Sequence, residues 1–367
     1  MSAPGLAPTL GLVSRFPSCV LVAANVAAML VLASACSGGS GGSGGTPPSV
    51  PSSSLSTGGS GTGTPGAASA ATDPAALRWS PGNPMPVAVS EVGVAVLNGQ
   101  IHVLGGYVGG RAHSTTHVVL DTATGAWQTA APLPVPLDHI GAVGLAGRVY
   151  AAGGYGSEGK PTSALYVYDP GSDRWSTAAP LPSPRTAAVA VVLAGRLHLV
   201  GGKTSSVAGA ASLDTAEHDV YDPASDRCST AAPMSTARDH AAGAVVGGRL
   251  HVAAGRPGDL TGHEVYDPET DRWSTAAPLP LGRSAVAGTE LDGRFVVLGG
   301  ENSGESAVYR NVAAFDARTG RWTSLEELPQ GRQGIGAAVV DGVLYLPGGG
   351  PSAGPAEQTN TTLVLGR

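Results

Sequence analysis

Residues Tyr168–Pro182 read YDPGSDRWSTAAPLP. The phrase returns as YDPASDRCSTAAPM from Tyr221 and as YDPETDRWSTAAPLP from Tyr266. Around it runs a longer period. An aromatic landmark falls at Trp79, Trp127, Trp175, Cys228, Trp273 and Trp322. A small-residue pair falls at Gly105-Gly106, Gly153-Gly154, Gly201-Gly202, Ala254-Gly255, Gly299-Gly300 and Gly348-Gly349. Both series step by about 50 residues, the scale of one four-stranded unit in a repeat protein. Each unit reads as a strand, a tight turn, a second strand ending at the small pair, and a variable loop. A third strand ending in an acidic residue, a turn and a fourth strand holding the Trp complete it.

Turn chemistry supports that division. Asn98-Gly99, Asp292-Gly293 and Asp341-Gly342 supply the positive φ angles a two-residue hairpin needs. Asp169-Pro170, Asp222-Pro223 and Asp267-Pro268 open the second turn, where Pro presets φ and Asp accepts backbone hydrogen bonds. The 55 Gly and 29 Pro among 367 residues, with charged residues at 13%, fit many short strands rather than helices.

The Gly pair, the Tyr-Asp pair and the following Trp, recurring in that order over 77–367, resemble the kelch repeat. That resemblance implies an all-β, six-bladed β-propeller with one repeat per blade. The last unit ends at Thr361-Thr362-Leu363-Val364-Leu365 without a Trp, whereas Trp79 stands before the first unit. The N-terminal strand is therefore expected to complete the sixth blade. Cys228, in the slot of a Trp, reads as a small hydrophobe in a locally repacked blade.

Residues 1–35 read as a lipoprotein signal peptide. The run CVLVAANVAAMLVLASAC ends in Leu32-Ala33-Ser34-Ala35-Cys36, which resembles a bacterial lipobox with Cys36 as the lipidated residue. Residues 36–76 then carry the lipidated Cys and a Gly/Ser/Pro tether that lacks apolar residues to bury. Its r.m.s. reach is roughly 30–36 Å. The expectation is an exported bacterial lipoprotein, anchored to a membrane through Cys36 at the cell surface or in the periplasm. Net charge is −6, which argues against a nucleic-acid partner.

Strand order places the loops after the small pairs and the connectors between blades on one rim, the top face, and binding sites concentrate in such loops. Sixteen residues before each small pair stand Val89, Leu137, Arg185, Arg238, Arg283 and Arg332. The four Arg are expected to face the mouth of the central channel and bind an anion. Two residues further on come Glu91, His139, Ala187, His240, Ala285 and Gly334. From this set His240 joins the ligand-binding candidates, and Glu91 with His139 are the catalytic candidates, able to move a proton.

Histidines that recur elsewhere (His102, His198, His251; His117, His218, His263) are read as structural. Neither a metal nor a cofactor is expected. Copper chemistry of the galactose-oxidase type, which the kelch resemblance brings to mind, would require a Cys crosslinked to Tyr, and Cys228 sits in the Trp slot. The favoured function is a membrane-tethered, extracytoplasmic binding module that recognises a glycan, peptide or protein through its top face. The alternative is a carbohydrate-active enzyme resembling the periplasmic sialic-acid mutarotases, which are six-bladed kelch propellers.

Overall fold

Along Gly93–Leu97 alternate residues are buried, whereas in the next strand, Gln100–Leu104, four consecutive residues are. The first pattern belongs to a strand with one face on an open channel, the second to a strand covered on both faces. The fourth strand of the unit, Ala126–Thr129, exposes everything but its half-buried Trp127. Burial thus changes steadily from the axis to the rim.

The computed structural model describes residues 77–205 and 213–366. The signal peptide, Cys36 and the tether expected over 1–76 lie outside the described residues, as does the middle of the loop after Thr204. Six antiparallel sheets of four strands form the described chain, with two short two-stranded hairpins in the loops. Blade 1 orders Gly93–Leu97, Gln100–Leu104, His117–Asp121 and Ala126–Thr129. The sixth sheet orders Ala338–Val340, Val343–Pro347, Thr362–Gly366 and Arg78–Pro81, with Trp79 opposite Leu365. None of the described residues forms a helix long and apolar enough to cross a membrane.

The hydrophobic core lies between blades. One cluster joins Ala95, Leu97 and Leu104 of blade 1 to Val149, Ala151 and Tyr168 of blade 2. Each Trp also ties its blade to the one before. Trp127 Nε1 donates to the Asn83 carbonyl, Trp175 to Ala131, Trp273 to Ala232 and Trp322 to Ala277, at 2.7–2.9 Å. Trp79 does the same to Glu326, at 3.0 Å. Asp173, Asp226 and Asp271 hold left-handed turns with φ near 50°. Each also accepts a backbone N–H of the preceding blade, from Ala131, Ala179 and Ala232, at 2.8 Å. These acids are therefore inter-blade ties as well as turn formers.

The exception at Cys228 has a partner on the facing blade. At three interfaces a buried histidine pair meets the aromatic landmark: His102 and His117 against Trp175's blade, His198 and His218 against Trp273's, His251 and His263 against Trp322's. Their ring nitrogens lie 2.8–3.0 Å apart within each pair. At the blade 2–blade 3 interface Tyr150 replaces the first histidine and Leu165 the second, and both pack in one cluster with Tyr221 and Cys228. Tyr150 and Tyr221 lie ring to ring at 5.6 Å. The bulk missing from blade 3 is supplied by blade 2.

Candidate functional site

The connectors between blades bring six equivalent residues to the axis, and their backbones bond in a closed circle. His139 N donates to Glu91 O, Ala187 N to His139 O, His240 N to Ala187 O, Ala285 N to His240 O, Gly334 N to Ala285 O and Glu91 N to Gly334 O, over 2.7–3.1 Å. All six residues have φ between 50° and 58°. This left-handed region costs an L-residue about 1–2 kcal/mol, and the circle of hydrogen bonds holds it in place. The small pairs permit the crossing beneath. A Cβ on Gly201 would stand 2.6 Å from the Arg238 carbonyl of the next connector, and Gly202 N bonds that carbonyl at 2.7 Å.

Three side chains of the ring converge. His139 Nε2 lies 3.2 Å from Glu91 Oε2, and the His139 and His240 rings meet edge to face at 4.9 Å. Donor atoms of Glu91, His139 and His240 all lie within 4.8 Å of one another. Gly334 makes room for the carboxylate, since a Cβ there would meet Glu91 Oε1 at 2.6 Å. Behind the histidines stand two fully buried acids. Asp138 hydrogen-bonds His139 Nδ1 and also His113. Asp239 lies 3.1 Å from His240 Nδ1. Burial opposes the charge on His139, but Glu91 and Asp138 outweigh it and raise its pKa above the usual imidazole value. For Asp239 burial is likewise outweighed, by His240 and Lys203, and its pKa falls well below the carboxylate range.

A second ring stands above the first, built from the residue that follows each small pair. Tyr107, Tyr155, Lys203, Arg256 and Glu301 line a cavity of about 200 Å³ whose floor is Glu91, His139 and His240. Tyr107 and Tyr155 set their edges against His139 at 5.6 and 5.5 Å. Lys203 bridges Asp214 and Asp239 at 2.9 Å each. Arg256 bonds Glu301 at 2.6 Å and Ser284 Oγ at 3.0 Å. Arg111, exposed at the end of the short hairpin Tyr107–Val108/Ala112–His113, also lines the cavity. It makes no salt bridge or side-chain hydrogen bond among the described residues. Below the floor the channel turns apolar, with Val92, Ile140, Ala188, Ala241, Val286 and Ile335 around it.

The positions of Arg185, Arg238, Arg283 and Arg332 correct the expectation that they face the channel mouth. All four are 0–2% exposed. Each reaches outward into its own blade. Arg185 bonds the Gly201 carbonyl and the carboxylates of Asp219 and Glu217. Arg238 bonds the Ala254 and Gly262 carbonyls and Glu264. Arg283 meets the Val297 and Asn311 carbonyls, and Arg332 meets Thr361. For Arg185 and Arg238 one of these acceptors is a carbonyl of the small pair itself, Gly201 or Ala254, which the left-handed backbone takes out of the regular ladder. A sequence signal for this existed: the same position holds Val89 and Leu137 in blades 1 and 2, and both are buried. Tyr107, Tyr155, Lys203, Arg256 and Arg111 were missed, although four of them share one repeat position.

Six blades around an axial channel, with a polar cavity on the top face, define the molecule as a β-propeller of the kind that commonly serves as a protein- or ligand-binding scaffold. The chain belongs to the kelch-repeat family: the family model described as KLHDC2/KLHL20/DRC7 Kelch-repeats domain matches residues 139–350. Among solved structures it is similar to the one titled "Structure of YjhT", at 19% identity and a TM-score of 0.67, over 77% of this chain and 96% of that one. That likeness is one of fold. No curated protein matches by sequence.

Proposed function

We propose that the top-face cavity binds a small polar group carrying a carboxylate, presented by a glycan or by a peptide or protein, and that the propeller works as an extracytoplasmic binding module tethered to a membrane through Cys36. One observation carries the ligand reading. Arg111 lines the cavity without an ion-pair partner among the described residues, beside Tyr107, which can cover an apolar sugar or peptide face. Its neighbours Lys203 and Arg256 are already neutralised by acids. The cavity's size, about 200 Å³, falls below the range of about 300–1,000 Å³ for drug-sized ligands and suits one sugar unit or one chain terminus. The tether reading rests on the lipobox-like Leu32–Cys36 and the Gly/Ser run after it.

A glycan and peptide array probed with the full chain tests the ligand reading. Captured ligands should be acidic, and Arg111→Glu should lose them with an unchanged melting temperature. Equal capture by that variant would refute the assignment.

A second reading, an acid–base enzyme on a sugar resembling the sialic-acid mutarotases, is favoured by the Glu91–His139–Asp138 relay on the cavity floor. Exchange of sialic-acid anomers followed by NMR decides it: a rate equal to buffer alone removes this reading and leaves binding untouched.

A further inference from the structure

We infer that Glu91, His139 and His240 form a binding site for one divalent first-row transition ion on the channel axis. Two imidazoles and one carboxylate, held on three separate connectors, are a donor set used for zinc with an open fourth position and for non-haem iron. Their donor atoms lie within 4.8 Å of one another. The one separation fixed directly, 3.2 Å between Glu91 Oε2 and His139 Nε2, is close to the roughly 3.4 Å edge of a tetrahedron with bonds of about 2.1 Å.

The surroundings supply an independent argument. A ligating histidine usually gives its other ring nitrogen to a carboxylate, which fixes the ring and strengthens the ligand. Both histidines here have an Asp one residue back in sequence: that of His139 makes the hydrogen bond, and that of His240 stands close to it without making one. Asp138 holds His139 Nδ1 and Asp239 stands 3.1 Å from His240 Nδ1, and each Asp is fully buried. His139 Nε2 is thereby left for the axis, where it faces Glu91. The histidine side chains are only 9% exposed, so they are aimed rather than free. The remaining coordination positions face the polar cavity above, where water or a ligand oxygen completes the shell. Directly below the floor the channel side chains are aliphatic, so the donors of this site come from the ring and the cavity above it. Elsewhere the paired histidines of the blades point into inter-blade cores, and Glu91, His139 and His240 are the one such group of three found among the described residues.

The test is a titration of the chelator-stripped full chain with Co²⁺ and Zn²⁺. The wild type should take up one ion per chain and show visible Co²⁺ bands of a four- or five-coordinate nitrogen-oxygen site. His139→Ala and His240→Ala should lose about 100-fold or more in affinity, and Asp239→Asn, which leaves every ligand in place, about 10–100-fold. If the histidine variants do not fold, Glu91→Gln and Asp239→Asn carry the test. A wild type without those bands, or variants as tight as the wild type, would overturn the assignment. Array capture repeated with a chelator present reports on ligand binding separately, so either result can fail alone.

Discussion

Replacing Arg238 by Ala should unfold the propeller early rather than blunt its binding. Arg238 is 1% exposed and makes hydrogen bonds of 3.1 and 2.7 Å to the Ala254 and Gly262 carbonyls and a 2.7 Å ion pair to Glu264. Glu264 is itself 3% exposed, and once the guanidinium is gone only the Ser235 N–H and hydroxyl remain on its carboxylate. Removing one member of such a pair costs about 3–5 kcal/mol, mostly because the surviving charge stays buried. For a domain of this size that lowers the melting temperature by roughly 5–8 °C. Arg283 is the internal control. It meets carbonyls only, and burial without a carboxylate partner pulls its pKa down to about 10. Arg283→Met strands carbonyl acceptors but no charge, and should cost about 1–3 kcal/mol, less than Arg238→Ala. Calorimetry on both variants, with array capture at a temperature where each is folded, makes the comparison. A melting temperature within about 2 °C of wild type for Arg238→Ala, together with lost capture, would refute the bracing role and return the arginines to the ligand.

Three further outcomes are expected. Burial holds His102, His198, His218, His251 and His263 down to about 4, against about 6.5 unfolded. The unfolded chain then binds more protons between these values, so the stability these groups contribute is complete above pH 6.5 and lost as pH falls toward 4. His139, whose pKa is raised, works in the opposite sense. Melting temperature measured against pH should drop across that window, and a flat profile would contradict the burial of the pairs. Cys228→Trp should destabilise by about 1–3 kcal/mol through overpacking against Tyr150, and Tyr150→His in the same chain should recover part of it. A double-mutant cycle without coupling would contradict the proposed compensation. Ala187→Gly and Ala285→Gly should each stabilise the fold by about 0.5–1 kcal/mol, since glycine relieves the left-handed backbone at more than its entropic cost. Denaturant midpoints below wild type would count against the strained ring.

The fold was legible because a propeller repeats its punctuation. Glycine pairs, Asp-Pro turns and Trp recur where backbone geometry demands them, and a single chain shows the demand several times. The residues of the axial ring are reachable by the same counting, since Glu91, His139 and His240 occupy one repeat position. The arginines misled because charge suggests solvent. Four guanidiniums at one repeat position look like a ligand site until Val89 and Leu137 at that position are given equal weight. The upper ring was hidden for a different reason. Tyr107, Tyr155, Lys203, Arg256 and Glu301 share a place in the repeat but no chemistry, and only the closed circle of blades shows that they face one another. The Cys228 exception needed the facing blade, because its compensation comes from Tyr150, some eighty residues earlier.

Ligand chemistry belongs to the axial cavity, and the other histidines belong to the scaffold. Imidazole signals of the nine histidines, followed by NMR while the full chain is titrated with an array-captured acidic ligand, test that division most directly. His139 and His240, with His113 behind them, should shift together and saturate, while His102, His117, His198, His218, His251 and His263 stay in place. Movement confined to those six, or to none of the nine, would contradict it.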